Sequence, residues 1–411
     1  MADIIPFKGV LYNPEKIKDL SKVVAPPYDV ISKEEQKELY DSDPHNIIRI
    51  LLGECFPDDN EKENRYVRAE RFLKDWKGKD LLKRDDRDSI YVYSQEFTID
   101  EKVISRLGFI ALLKLEEFNV GTSSVYPHED TFQAPKEDRS RLIESIEANL
   151  GPIFALFKDE EKHIDAILVE ATRKSQPIID IVDHHGARNR LWRISEKETM
   201  ATIVRLIKPK LLFIADGHHR YEVGLEFSKL KSDHKYGRIL TYFTDLYADG
   251  IIILPVHRLI AGVNNDTLSY LKGNLRKDFL VKELASKVEA KTFLSGAHHL
   301  EKRFVIYDGR MFTGLSRSEK DSLDVNVLHS LIIGPLEKKA TEAGEKISID
   351  FTKDLGYAID EVDKGRRSLS ILLNPTKIDQ VCSMAFSGKR MPQKSTYFYP
   401  KVLTGLVINV F

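Results

Sequence analysis

The stretch Leu211 to Glu222, reading L-L-F-I-A-D-G-H-H-R-Y-E, constrains this chain most, because two backbone periods meet there across a single glycine. The four apolar residues Leu211 to Ile214 read as a short buried strand, and Asp216-Gly217 supplies turn chemistry that ends it. Val223, Phe227 and Leu230 then fall at i, i+4 and i+7, which predicts a helix with Asp216 as its N-cap. His218, His219 and Arg220 would occupy the first turn. Unpaired backbone N–H groups and the positive end of the helix dipole favour an anion there, and a guanidinium adds a bidentate phosphate partner. The same residues also fit a capped strand-to-helix corner whose polar side chains are merely solvated.

The remainder of the chain bounds what such a corner can serve. At 411 residues it is too long for one small core, so two or three subdomains are expected. Lys and Arg number 63 against 64 Asp and Glu, so no global field draws the protein to nucleic acid or to an anionic membrane. The two cysteines, Cys55 and Cys382, make neither a disulfide framework nor a C-x-x-C metal pair. The N-terminal M-A-D-I-I-P-F-K-G has no signal-peptide pattern, and no stretch approaches the ~20 apolar residues of a membrane helix. These features lead to the expectation of a cytoplasmic protein with no nucleic-acid or membrane partner. They leave the oligomeric state unread.

Taken in order, V-V-A-P-P-Y-D-V-I-S (Val23 to Ser32) is held extended by two prolines, and Ser32 with Glu35 forms a capping box for a helix to about Tyr40. Asp29 thus lies on a rigid segment, which suits a catalytic or metal-binding carboxylate and equally an Asp that closes a turn. Ile47 to Leu52 reads as a buried strand, and about Asn64 to Trp76 as a helix with a solvated charged face. Ile90 to Ile99 and Ile104 to Leu115 predict antiparallel strands joined by a hairpin at Asp100-Glu101, which favours an α+β arrangement over a doubly wound sheet. In V-Y-P-H-E-D-T-F (Val125 to Phe132), His128, Glu129 and Asp130 offer acid-base or metal-binding groups. Three adjacent side chains cannot all face one ion, so a plain loop competes with that reading. Asp183-His184-His185-Gly186 reads as a turn between strands. Near the end, M-P-Q-K-S-T-Y-F-Y-P-K places Lys394, Ser395, Thr396 and Lys401 in a proline-bounded segment, fit either to contact phosphate or a small substrate or to flank a packed edge strand, Tyr397 to Tyr399.

Several segments together resemble the bacterial and archaeal family called domain of unknown function 1015. They are P-F-K-G, A-P-P-Y-D-V-I-S, P-H-E-D-T, the D-R of Asp138-Arg139, N-L-G-P-I-F, A-D-G-H-H-R-Y-E, L-P-V-H-R and M-P-Q-K-S-T-Y-F-Y-P-K, in that order along nearly the whole chain. A-D-G-H-H-R also resembles the nucleotide-contacting motif of the ParB/sulfiredoxin-like superfamily, in the form found in its free serine kinases. That resemblance implies a mixed-sheet α+β fold with a ParB/sulfiredoxin-like nucleotide-binding core. The core would span residues 1–264, carry a large insertion at about 50–200, and be followed by a C-terminal α+β subdomain (265–411) closing the cleft. It further implies ATP or ADP with Mg²⁺, and phosphorylation of a small hydroxyl, free L-serine yielding O-phosphoserine. Gly217, His218, His219 and Arg220 would hold the nucleotide phosphates, and Asp216 would orient the metal. The free serine kinases use a glutamate base in an N-terminal segment where this chain offers Asp29, with Glu222 as the second candidate. His128, Glu129, Arg258, Lys394, Ser395, Thr396 and Lys401 would contact the substrate. Two other classes fit the motifs: a nucleotide-binding regulator without turnover, and a structural or partner-binding protein.

Overall fold

The computed structural model describes every residue except 120, 232, 299 and 321. The chain divides into two compact units. The first comprises Met1–Ile252, Ala385–Gly388 and Pro400–Phe411, and the second Ile253–Met384 and Lys389–Tyr399. A single cut near residue 264 therefore misses part of the organisation, because the chain comes back to its first unit after building the second.

The first unit is built on a mixed sheet whose strands run in the order Val125–Tyr126, Leu212–Asp216, Ile153–Phe157, Arg238–Asp245, Lys102–Lys114, Ile90–Ile99, Arg188–Ile194 and Ile179–Val182. Ile4–Ile5 pairs on Lys102–Lys114 as a ninth strand. Two pairs are parallel, Leu212–Asp216 with Val125–Tyr126 and Arg238–Asp245 with Ile153–Phe157, and the others are antiparallel. The long hairpin turns at Asp100 and Glu101, both at positive φ (46° and 63°), as a tight two-residue loop between twisted strands requires. Ile90, Val92, Phe109, Ala111 and Leu113 alternate onto one face and pack with Ile164 and Leu168 of the helix His163–Lys174 and with Met200, Ile203 and Ile207 of Lys197–Ile207. A second cluster gathers the N-terminal segments around Trp76, with Leu39, Ile48, Leu73, Leu142 and Ile408.

Ile47 to Leu52, expected as a strand, is instead a short helix, Ile48–Leu51. Asn46 sets it. Its carboxamide oxygen accepts from the Ile48 N–H at 2.8 Å, while its nitrogen donates to the carbonyls of Lys22 (2.7 Å) and Val24 (3.2 Å). Those bonds override the β preference of the Ile-rich run. The Ser32 cap is as expected, its Oγ accepting from the Glu35 N–H ahead of Lys33–Ser42.

The second unit is a six-stranded antiparallel sheet in the order Leu280–Leu284, Phe312–Ser318, Glu301–Tyr307, Leu369–Leu373, His257–Ala261 and Ser348–Thr352. Phe304 and Ile306 face the helices Asn265–Leu275 and Gly334–Glu342, and Val305 and Tyr307 face Lys287–Ser295 and Leu355–Asp363. Alternation along one strand thus feeds two helical layers.

Candidate functional site

The corner seen in the sequence lies at the end of Leu212–Asp216. The pairing register of this strand with Ile153–Phe157 shifts between Ile214 and Asp216, a bulge that re-aims the last residue. Gly217 follows at φ +93°. A Cβ there would stand 2.8 Å from Ile153 Cγ2 and 3.0 Å from Arg220 Nη2. Only glycine meets both the angle and the space. The helix His218–Lys231 starts immediately after it. Asp216 belongs to the strand rather than capping that helix, and its carboxylate takes two cations. Oδ1 accepts from Lys401 Nζ, and Oδ2 from Arg220 Nη2 at 2.9 Å. Arg220 Nη1 also donates to the carbonyl of Pro152 at 2.7 Å, which ties N-L-G-P-I-F to the corner, and its buried Nε meets no acceptor among the described residues.

The P-H-E-D-T-F loop is strapped along the first turns of this helix. His128 is fully buried, and its Nδ1 lies 2.7 Å from the carbonyl of Ile214, so Nδ1 carries the proton. The His128 backbone N–H donates to His218 Nε2 at 3.3 Å, with the two rings edge to face at 4.6 Å. The Phe132 N–H donates to His219 Nε2 at 2.9 Å, and the rings of Phe132 and His219 lie parallel, 6.4 Å apart. Because Nε2 accepts in both His218 and His219, each imidazole is neutral and bears its proton on Nδ1. Glu222 Oε2 accepts from Thr131 Oγ1 at 2.6 Å and pairs with Lys136 at 3.3 Å. Glu129 Oε1 lies 3.7 Å from His128 Nε2.

Asp29 is exposed on the 3₁₀ turn Tyr28–Val30 that follows Pro27. Its neighbour Tyr28 lies under the Arg139 guanidinium, 4.1 Å from ring centre to carbon. Burial pushes the Tyr28 phenol far above its ordinary range and the Asp29 charge adds to this, while Arg139 and Arg220 pull the other way. Pro27, Tyr28, Arg139, Gly151, Arg220 and Thr404 line one mostly apolar cavity, so A-P-P-Y-D, D-R, N-L-G-P and the corner share a wall. Asp138 and Arg139 also act as a clamp, since Asp138 accepts from Tyr66 OH at 2.7 Å and from Arg139 Nε at 2.8 Å.

The other expected site residues are divided between the two units. Arg258, Lys394, Ser395 and Thr396 belong to the second unit, whereas Lys401 belongs to the first. Arg258 is fully buried, donates to the carbonyl of Val256 and lies 5.0 Å from the Phe351 ring centre. Ser395 and Thr396 are buried, and the Ser395 carbonyl accepts from Thr376 Oγ1 at 3.1 Å. Both oxygens of Asp216, expected to orient a metal, are engaged by cationic side chains. No group of three His, Cys, Asp or Glu side chains among the described residues is placed to hold a metal ion. Gln95 and Arg106 were not among the expected site residues, and Arg139 was noted only as part of the D-R segment. The available signal for Gln95 and Arg106 was a polar residue at an inward position of a largely apolar strand.

In the first unit, a strand–glycine–helix corner thus shares one cavity wall with the A-P-P-Y-D, D-R and N-L-G-P segments. The chain belongs to the family described as "Protein of unknown function (DUF1015)", whose model matches residues 4–331. No curated protein matches it. Among solved structures, a free serine kinase in complex with AMP is similar at 13% identity, covering 72% of this chain and 96% of that one, with a TM-score of 0.40. A conserved hypothetical protein from Pyrococcus furiosus is similar at 12% identity, over 70% and 94% of the two chains, with a TM-score of 0.38. SbnI from Staphylococcus aureus, truncated at its C-terminus, is similar at 10% identity over 68% and 82%, with a TM-score of 0.36. No helix among the described residues is long and apolar enough to cross a membrane.

Proposed function

We propose that the corner is the phosphate-holding wall of a phosphotransferase that moves a phosphoryl group from ATP or ADP to the hydroxyl of a small molecule, and that the acceptor is free L-serine. The observation that carries this reading is the polarity of the corner. Two neutral imidazoles keep a proton on Nδ1, two cations share the one carboxylate of Asp216, and a helix begins immediately after Gly217. Each feature favours negative charge. Phosphoryl transfer needs mainly such fixed positive ends, since the protein does little covalent work.

In this scheme the serine hydroxyl oxygen forms the new O–P bond, the bond from phosphorus to the nucleotide oxygen breaks, and the hydroxyl proton passes to a carboxylate. Asp29 takes that proton, as it is exposed on a rigid turn beside the shared cavity. Glu222 is the weaker candidate because Thr131 and Lys136 already engage it. Asp216 keeps Lys401 and Arg220 aimed, and no step is assigned to a metal held by the protein.

The test is to incubate the purified chain with ATP or ADP, Mg²⁺ as the nucleotide's counter-ion, and L-serine, and to look for O-phosphoserine by mass spectrometry. Product is expected. Asp29→Asn should lower kcat by roughly 10²- to 10⁴-fold with little change in nucleotide affinity. Nucleotide binding without product, across a panel of small alcohols, would favour a non-catalytic regulator. Absence of nucleotide binding would overturn the reading.

A further inference from the structure

One face of the large sheet carries a row of polar side chains that the proposed chemistry does not use. Asn189, Gln95 and Arg106 sit directly opposite one another in register across three neighbouring strands, and each is fully buried. Such a row is costly inside a sheet unless its groups are bonded. Asn189 Nδ2 donates to Asp183 Oδ2 at 2.9 Å, in the D-H-H-G turn, and to the carbonyl of Ala187 at 2.8 Å. Asn189 Oδ1 accepts from Tyr93 OH at 2.6 Å and from Gln95 Nε2 at 3.2 Å. Gln95 Oε1 accepts from Arg106 Nη2. The Arg106 guanidinium lies over the rings of Phe154 (4.7 Å) and Tyr242 (5.8 Å). Gly108 makes room for that arrangement, since a Cβ there would approach the Tyr242 ring to 2.7 Å.

The far end of the row takes hold of main chain. Gln95 Nε2 donates to the carbonyl of Lys401 at 3.0 Å, and Arg106 Nη2 to the carbonyl of Pro400 at 2.6 Å. The two carbonyls are consecutive, and the second belongs to the residue whose ammonium sits on Asp216. A lysine side chain has many rotamers, so its ammonium is held at one carboxylate only where its backbone is fixed. Burial works against the charge of Arg106, and the Asp216 carboxylate is among the groups that offset it.

We infer that Gln95 and Arg106 are positioning residues that fix the Pro400–Lys401 main chain and thereby set the Lys401 ammonium on Asp216. Their effect on phosphate rests on the phosphotransferase reading, whereas the mechanical coupling from Gln95 to Lys401 does not. The row reaches the corner through Lys401, so its effect on phosphate should vanish when the ammonium is absent.

A double-mutant cycle tests this. Gln95→Leu removes both the acceptor and the donors of the carboxamide. Gln95→Glu keeps an acceptor for Arg106 but loses the N–H groups directed at Lys401 and Asn189, and it serves should the leucine variant fail to fold. Each is compared with Lys401→Met and with the double variant, by nucleotide KM and kcat for O-phosphoserine formation and by the urea midpoint. Gln95→Glu alone is expected to raise nucleotide KM about tenfold with kcat within about threefold, and to add nothing in the Lys401→Met background. Additive effects on KM would overturn the inference, because a merely structural Gln95 would act equally with or without the lysine ammonium. If the wild-type chain neither binds nor turns over nucleotide, the phosphotransferase reading falls. The cycle is then read in the urea midpoint alone, where coupling sustains the positioning role and additivity overturns it.

Discussion

Gly217 concentrates several demands on one residue. Its φ of +93° lies where an L side chain is strained, and the space a Cβ would need is already filled by Ile153 and the Arg220 guanidinium. Gly217→Ala is therefore expected to lower stability by about 1–3 kcal/mol and to displace Arg220 from Asp216, measurable as a lower urea midpoint together with weaker nucleotide binding. The strand, break and helix of this corner were legible in the sequence because their signals are local, although Leu211 and Leu230, counted in the apolar run and the helical stripe, are exposed and only Val223 and Phe227 of that stripe are buried. The tautomers of His218 and His219 were not legible, since they depend on N–H groups of His128 and Phe132, about 90 residues earlier. The partner of Asp216 was hidden for the same reason. A D-G pair ahead of a helix reads as a cap, and nothing nearby in sequence signals that Lys401 occupies the carboxylate.

Among elements, the hairpin at Asp100-Glu101 and the helix after Ser32 follow from turn and capping chemistry, which a sequence displays directly. The helix Ile48–Leu51 does not, because Asn46 imposes it through carbonyls more than 20 residues away. The helix His163–Lys174 shows a different conflict. Asp165 lies in its first turn, where the dipole favours a negative charge, yet burial, and then the charges of Asp245 and Asp159, raise its carboxyl from 3.8 to about 6. The native state then holds a proton that the unfolded chain releases between pH 3.8 and about 6, so stability falls as pH rises through that window. Asp165→Asn should accordingly stabilise the protein at pH 7 by about 1 kcal/mol, after allowance for solvent screening, and leave it nearly unchanged near pH 3.5. Thermal melts at the two pH values check this.

At the scale of the molecule, each unit has its own sensitivity. In the second, burial and then the neighbouring Arg258 charge lower His257 from 6.5 to about 4, with Asp354 opposing. The residue is 2% exposed, and Nδ1 accepts from the Leu373 N–H. The unfolded chain binds a proton below pH 6.5 that the folded one refuses until about pH 4, so stability present at neutral pH is lost across that interval. The loss should be roughly 2–3 kcal/mol, and His257→Gln should flatten it in urea titrations between pH 4 and 7. The first unit depends on its last segment. Thr404 exchanges backbone bonds with Ala25, Gly405 donates to the carbonyl of Leu150, Ile408 pairs with Val10, and Asn409–Val410 pairs with Ala148–Asn149. A chain ending at Tyr399 should lose cooperative unfolding of the first unit while the second remains protected in hydrogen exchange.

The same return of the chain fixes an order of events. Residues 400–411 are made only after residues 253–384 and 389–399, which form the second unit. Until they emerge, Asp216 has no Lys401, and the strand Val10–Tyr12 lacks the bond from Ile408. Bringing the two parts of the first unit together across a slack segment of this length costs closure entropy, and folding the intervening unit first shortens the span that must be searched. The second unit is thus expected to act as a timer for the first, since the Lys401 partner of Asp216 is made only after it.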